Sequence, residues 1–207
     1  MKKKYKKIIN SIIALIVFQS GMYLLAKLSP FEVHILKSTI DNKIPFISHF
    51  IYFYISWYLM LVLMPYMFYK KDYNCFKNYI LCSNISIIVT FFIYFFYPTS
   101  ILRNSISLNG LSGFITKIIY LIDTPLLNCF PSMHCLLCFL YIFNIIICCN
   151  MSRLCKFGVI IWSFLVIIST LFVKQHVILD VISAFILAII IFIIVRMINK
   201  LDNKKVK

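Results

Sequence analysis

Two short stretches of this apolar chain hold residues that could do chemistry. The run Pro131-Ser132-Met133-His134 puts a hydroxyl and an imidazole at the first turn of a hydrophobic segment. The run "STLFVKQHVILD", Ser169 to Asp180, ends with His176 and Asp180 four residues apart. Residues so spaced share one helix face. An ionised Asp inside an apolar span is costly and needs a partner. An imidazole supplies one. The carboxylate in turn fixes the ring tautomer and stabilises the positive charge that grows when the other ring nitrogen attacks. Pro131 suits a first helical position, which leaves free N–H groups near Ser132 and His134. A further apolar segment begins near His176. Two positive helix ends with Arg103 and Lys174 would make a pocket for an anion with several oxygens, and phosphate fits best. Asp123 and Asn128, in "DTPLLNCFPSMH", and Ser169 are polar residues at the same segment ends. Simpler roles exist for some of these. Ser132 also suits a helix cap, and Lys174 can snorkel. His34 and His49 read as interfacial polar residues.

The elements that must position these residues follow from bulk composition. The chain has 207 residues, of which 62% are apolar and 13% charged, with a mean hydropathy of +0.95. A soluble domain of this size cannot hide so much Ile, Phe and Leu, so the chain is expected to be membrane-embedded. A helical span takes about 20 apolar residues. Six stretches qualify: Ile8–Leu28, Phe46–Tyr69, Tyr79–Tyr97, Pro131–Cys149, Leu154–Phe172 and His176–Ile198. The fold class expected is therefore all-α, a single six-span domain over residues 1–207 with the site at the outer helix ends.

The net charge of +15 is distributed as a topology signal. With six spans, fifteen of the 21 basic residues fall on one side, in MKKKYKK, Lys70–Lys77, Arg153 with Lys156, and the tail from Arg196. This bias places both termini in the cytoplasm and suits contact with anionic lipid heads. No basic stripe with interleaved aromatics follows a phosphate backbone, which argues against a nucleic-acid partner. MKKKYKK and the roughly 20-residue apolar run after it lack a clear cleavage site, so they read as an uncleaved first span. The eight cysteines lie in or beside spans and imply no disulfide framework. Cys135 and Cys138 read as small buried hydrophobes rather than metal ligands.

The connections on the other side, Ser29–Pro45 and Pro98–Phe130, are the long ones. The second holds "NSISLNGLSG" and then "FITKIIYLID", which is expected to form a short interfacial helix. With six spans, Arg103, Asp123, Asn128, Ser132, His134, Ser169, Lys174, His176 and Asp180 all fall at outer helix ends and can converge.

These residues resemble the type 2 phosphatidic acid phosphatase superfamily, whose motifs are K-x6-R-P, P-S-x-H and S-R-x5-H-x3-D. "PSMH" matches the second motif. Ser169–Asp180 matches the third, with Thr170 in place of the arginine. For the first, Arg103 is the candidate, with Phe96 at the lysine position and Asn104 at the proline. "DTPLLNCFPSMH", "KQHVILDVISAF" and "DNKIPFISHFIYFYISWY" look like the subgroup that includes inositolphosphotransferases, over roughly residues 41–198. The resemblance implies His176 as nucleophile, forming a phosphohistidine, with Asp180 orienting it and His134 protonating the leaving alkoxide. Arg103, Ser132 and Lys174 would hold the nonbridging oxygens, with Asp123, Asn128, Ser169 and Thr170 as support. No metal or cofactor is implied. Three functions follow: hydrolysis of a lipid phosphate of the phosphatidate or polyprenyl type at the outer leaflet, transfer of a phospho-headgroup between lipids, or a catalytically inactive lipid-binding or transport protein.

Overall fold

The computed structural model describes residues 2–103, 108–148 and 150–205. Among these residues it contains seven α-helices: α1 (Lys2–Ala26), α2 (Ile51–Lys71), α3 (Tyr73–Phe96), α4 (Gly110–Ile122), α5 (Met133–Phe143), α6 (Arg153–Phe172) and α7 (Ile178–Lys205). Five of them, α1, α2, α3, α6 and α7, are long and apolar enough to cross a membrane. Their outward faces carry rows of exposed apolar side chains, such as Leu154, Phe157, Ile161, Phe164 and Ile168 on α6 and Ile182, Ile186, Ile190 and Ile193 on α7. A surface of that kind is stable against lipid tails and not against water.

The expected fourth span is different in kind. The α5 helix runs on through a π-helical turn, Asn144–Cys148, as an apolar stretch Met133–Ile147 that is about 22 Å long at 1.5 Å per residue. Its residues from Cys135 to Ile142 are all buried. It packs against α3, α6 and α7, so protein sheathes it and lipid thickness does not set its length. The expected end of this span at Cys149 lies outside the described residues, as do residues 104–107 of the long loop.

Helix starts are set by side-chain caps, which satisfy the orphan N–H groups of the first turn. Asp72 accepts from the N–H groups of Asn74 and Cys75, which starts α3 six residues before the expected Tyr79. Ser132 caps α5 through the N–H of Cys135, and Ser152 caps α6 through that of Cys155. The α7 helix begins at Ile178, so His176 lies in the turn before it rather than in its first turn.

Not every element is helical. His34–Leu36 (β1) and Thr99–Ile101 (β2) form a short parallel ladder in the register His34↔Thr99 to Leu36↔Ile101. It ties the two long connections together and pairs backbone groups that an irregular loop would leave unmet. Sequence reading missed it because three-residue strands carry no usable alternation. The short helix expected in the second long connection is present as α4, with Leu111, Phe114, Ile118 and Leu121 exposed and Ser112, Gly113 and Thr116 turned inward. Gly113 packs so close that a Cβ there would meet the Leu108 backbone at 2.4 Å. Cys75 is disulfide-bonded, where the sequence implied no disulfide framework.

Candidate active site

The turn that joins α6 to α7 is held from several sides. Thr170 O accepts the N–H groups of both Gln175 and His176, while Ser169 O accepts that of Val173. Lys174 takes a left-handed conformation, φ 51°, which reverses the chain. Tyr120 on α4 donates its hydroxyl to Val173 O at 2.7 Å. Asp41 accepts the Ile178 N–H at 2.9 Å with one oxygen and the Ser38 N–H and hydroxyl with the other. A tightly fixed turn is what a reacting imidazole needs.

His176 is nearly buried. Its Nδ1 lies 3.1 Å from Asp180 Oδ2, and that same oxygen accepts the Val177 N–H at 3.0 Å. An oxygen already accepting one hydrogen bond is an acceptor for the second, so Nδ1 carries the proton and Nε2 keeps its lone pair. Asp180 itself is fully buried.

His134, in the first turn of α5, lies with its ring 5.7 Å from that of His176. Two rings of α2 pack on it, Tyr54 at 4.6 Å and Trp57 at 4.1 Å between centroids. Both imidazoles line a cavity of about 320 Å3. Its walls are largely apolar or aromatic, with Met22, Ile87, Phe91, Leu126, Tyr23 and Tyr58 among them, and its polar members include Lys27, Asp123, Asn128 and Gln175.

The expected site residues divide into three groups. His134, His176, Asp123 and Asn128 come together on the cavity wall, with Asp180 directly behind His176. Arg103 stands one residue back. It donates to Gln175 Oε1 at 2.6 Å and to Lys174 O at 3.0 Å, and lies over the Tyr120 ring at 3.7 Å. The rest serve the frame. Ser132 spends its hydroxyl oxygen on the α5 cap, and its N–H reaches Asp180 O at 3.2 Å. Ser169 and Thr170 donate their hydroxyls to Val166 O and Ile167 O. Lys174 turns away from the cavity and donates to Asp41 O and Ile44 O. The start of α7 offers no free anion seat either, because the carboxylates of Asp41 and Asp180 already hold the Ile178 and Val177 N–H groups. His34 stacks on Tyr97 and, like His49, does not line the cavity.

No protein-family model, curated protein or solved structure matches this chain.

Most of the cavity wall was not among the expected site residues, Lys27, Tyr54, Trp57, Tyr58 and Gln175 included. The aromatic run of α2 had entered only as part of the resemblance over residues 41–58, and Lys27 only through the charge bias. Burial raises the Asp123 carboxyl above the usual carboxylate range, opposed by the charges of Arg103, Lys27 and His176 and by the Gln175 amide. Burial also pushes the Cys129 thiol up, which keeps it an uncharged wall residue.

An anion between the two rings would meet a nucleophilic nitrogen on one side and a proton-carrying ring on the other.

Proposed function

We propose that this chain is an integral membrane enzyme that transfers the phosphoryl group of a phosphorylated lipid through a phosphohistidine on His176. One observation carries the reading: two imidazoles from separate segments face one cavity 5.7 Å apart, and one of them is backed by a buried carboxylate through Nδ1. Nε2 of His176 attacks phosphorus, and an N–P bond forms as the P–O bond to the leaving alkoxide breaks. His134 gives that alkoxide its proton. The acceptor oxygen then attacks phosphorus, loses its proton to His134 and frees His176. The likeness of Pro131–His134 and Ser169–Asp180 to the type 2 phosphatidic acid phosphatase motifs supports the same assignment.

In this reading α1, α2, α3, α5, α6 and α7 make a six-crossing bundle, with α5 as a short enclosed crossing. Both termini face the cytoplasm and the cavity opens toward the outer leaflet, as the lysine and arginine bias suggests. Hydrolysis of a lipid phosphate is the simplest form of the reaction. Transfer to a second lipid's hydroxyl is a second reading, and the apolar walls of the cavity favour it because they hold an alcohol better than water.

The test is a panel of phosphorylated lipids given to the purified full chain without added metal, with phosphorus traced into water-soluble and lipid products. Turnover of at least one lipid that His176→Ala abolishes is the expected result. Equal turnover by that variant, or tight phosphate binding with no turnover on the whole panel, would remove the enzymatic reading.

A further inference from the structure

The α4 helix carries two faces of opposite kind. Leu111, Phe114, Ile118, Leu121 and Ile122 are 39% to 68% exposed and recur at the spacing of one helix stripe. Lys117, also exposed, sits beside that stripe. The other face meets protein. Ser112 pairs its hydroxyl with that of Ser48 at 2.9 Å, and Ile115 and Ile119 pack against Ile51, Tyr54 and Val173. The exposed face is the apolar one. It continues the lipid-facing surface of the spans: Ile122, at its end, lines the cavity with Leu24 and Tyr58, which are exposed on α1 and α2. At 13 residues α4 is too short to cross a bilayer, which takes about 20, so it meets lipid along its side. Apolar side chains among acyl chains, with one ammonium reaching the headgroup phosphates, is the pattern of a helix lying in a membrane surface.

The inward face of α4 grips the turn that carries His176. Tyr120 donates its hydroxyl to Val173 O at 2.7 Å. Arg103 lies over the Tyr120 ring at 3.7 Å and donates to Lys174 O at 3.0 Å and to Gln175 Oε1 at 2.6 Å. Asp123, the residue that ends α4, is hydrogen-bonded to the Gln175 amide. Val173, Lys174 and Gln175 are thus each tied to α4, directly or through Arg103. Lys174 gives these ties their leverage. Its left-handed backbone, φ 51°, is costly for an L-residue and persists only where the surroundings fix it.

We infer that α4 docks on the bilayer surface at the cavity end of the helices, and that this seating holds the Val173–Gln175 turn so that His176 faces the cavity. The partner is the phospholipid surface itself, which goes beyond the phosphoryl-transfer reading and rests on it only for a rate readout. Lipid under Leu111, Phe114, Ile118 and Leu121 presses the inward face of α4 onto Val173 and keeps Tyr120 and Arg103 in place. Without that support the turn relaxes from its left-handed residue and the imidazole leaves its line toward the cavity. Tyr120 is a positioning residue in this account, acting on His176 through the turn.

The experiment places the full chain in phosphatidylcholine vesicles whose acyl chains are brominated either near the headgroup or near the chain tip. The emission that Phe114→Trp adds to the parent's two indoles should be quenched more by the shallow bromines. Quenching by aqueous iodide and by neither lipid overturns the seating. Hydrogen exchange is then followed at residues 173–178, whose N–H groups are all hydrogen-bonded. It should quicken about tenfold in Tyr120→Phe and in the double variant Phe114→Ser, Leu121→Ser. Unchanged exchange in either overturns the coupling. If the double variant does not fold, Tyr120→Phe decides alone. On a lipid that the parent turns over, kcat of these variants should fall about tenfold with KM near the parent's value, and a parental kcat overturns the link to His176. A parent inactive on every lipid removes the phosphoryl-transfer reading, while quenching and exchange still decide this one.

Discussion

At the residue scale the chemistry depends on what stands behind each imidazole. Asp180 Oδ2 fixes His176 from Nδ1, so Asp180→Asn keeps the shape and loses the acceptor that sets the tautomer. Turnover should fall roughly 10^3- to 10^4-fold with little change in substrate affinity, read as separate kcat and KM values. Asp123 adds a pH signature. Its folded-state carboxyl titrates above the ordinary range because of burial, so its neutral form is the better folded form. The stability this gives is complete below the unfolded carboxylate pKa, about 4, and is lost as pH rises through the raised folded value. Thermal unfolding of Asp123→Asn should lack that decline, while the parent chain shows it. His134, His176 and Asp180 were legible in the sequence because imidazoles and a carboxylate at span ends have few structural reasons to be there. Gln175 and Trp57 were not, since their place on the cavity wall comes from the packing of α2 and the α6–α7 turn around it. Lys174 misled for the converse reason: a cation two residues from the nucleophile looks like a phosphate ligand, yet a left-handed turn aims it at the Asp41 and Ile44 carbonyls.

At the element scale, the site is built by connections more than by helices. The α6–α7 turn is pinned by Asp41 from the first long loop, by Tyr120 from α4 and by Arg103 from the second long loop. Asp41→Ala would leave the Ile178 N–H and the Ser38 groups without their acceptor. That change should cost about 1–3 kcal/mol of stability, seen as a lowered Tm, and should reduce turnover while phosphate is still bound. The helices were readable from runs of apolar residues, and their ends shifted where caps such as Asp72 intervened. The length of α5 was not readable, because hydropathy cannot tell a lipid-facing span from a helix enclosed by its neighbours. The β1–β2 ladder and the folding of both loops over the helix ends depend on long-range pairing, which no local pattern encodes.

At the scale of the whole molecule, two polar layers sit in the apolar interior. One is the cavity. The other lies near the far ends of α3, α5 and α7, where Asn78 donates to Asn144 Oδ1 at 2.7 Å and accepts from Asn199 at 2.8 Å, while Asn144 also donates to Leu140 O at 2.8 Å. Amides that satisfy one another inside an apolar medium fix which helices are neighbours. Asn78→Leu leaves two partners unmet and should destabilise the fold by about 1–3 kcal/mol without changing the pH dependence of turnover, as measured by unfolding in detergent beside a rate profile. The proposed topology makes its own statement. Tags at both termini should be digested only after protease reaches the cytoplasmic side, and a tag inserted beside Glu32 should be cut from outside.

The most direct measurement is the trapping of the phosphorylated enzyme. The full chain is mixed with short-chain phosphomonoester and phosphodiester lipids labelled at phosphorus, quenched in base within the first turnover, and mapped by peptide mass spectrometry. The account predicts acid-labile label on His176 from at least one of these lipids, and none in His176→Ala. Label on another residue, or lipid turnover that continues in His176→Ala, would contradict it.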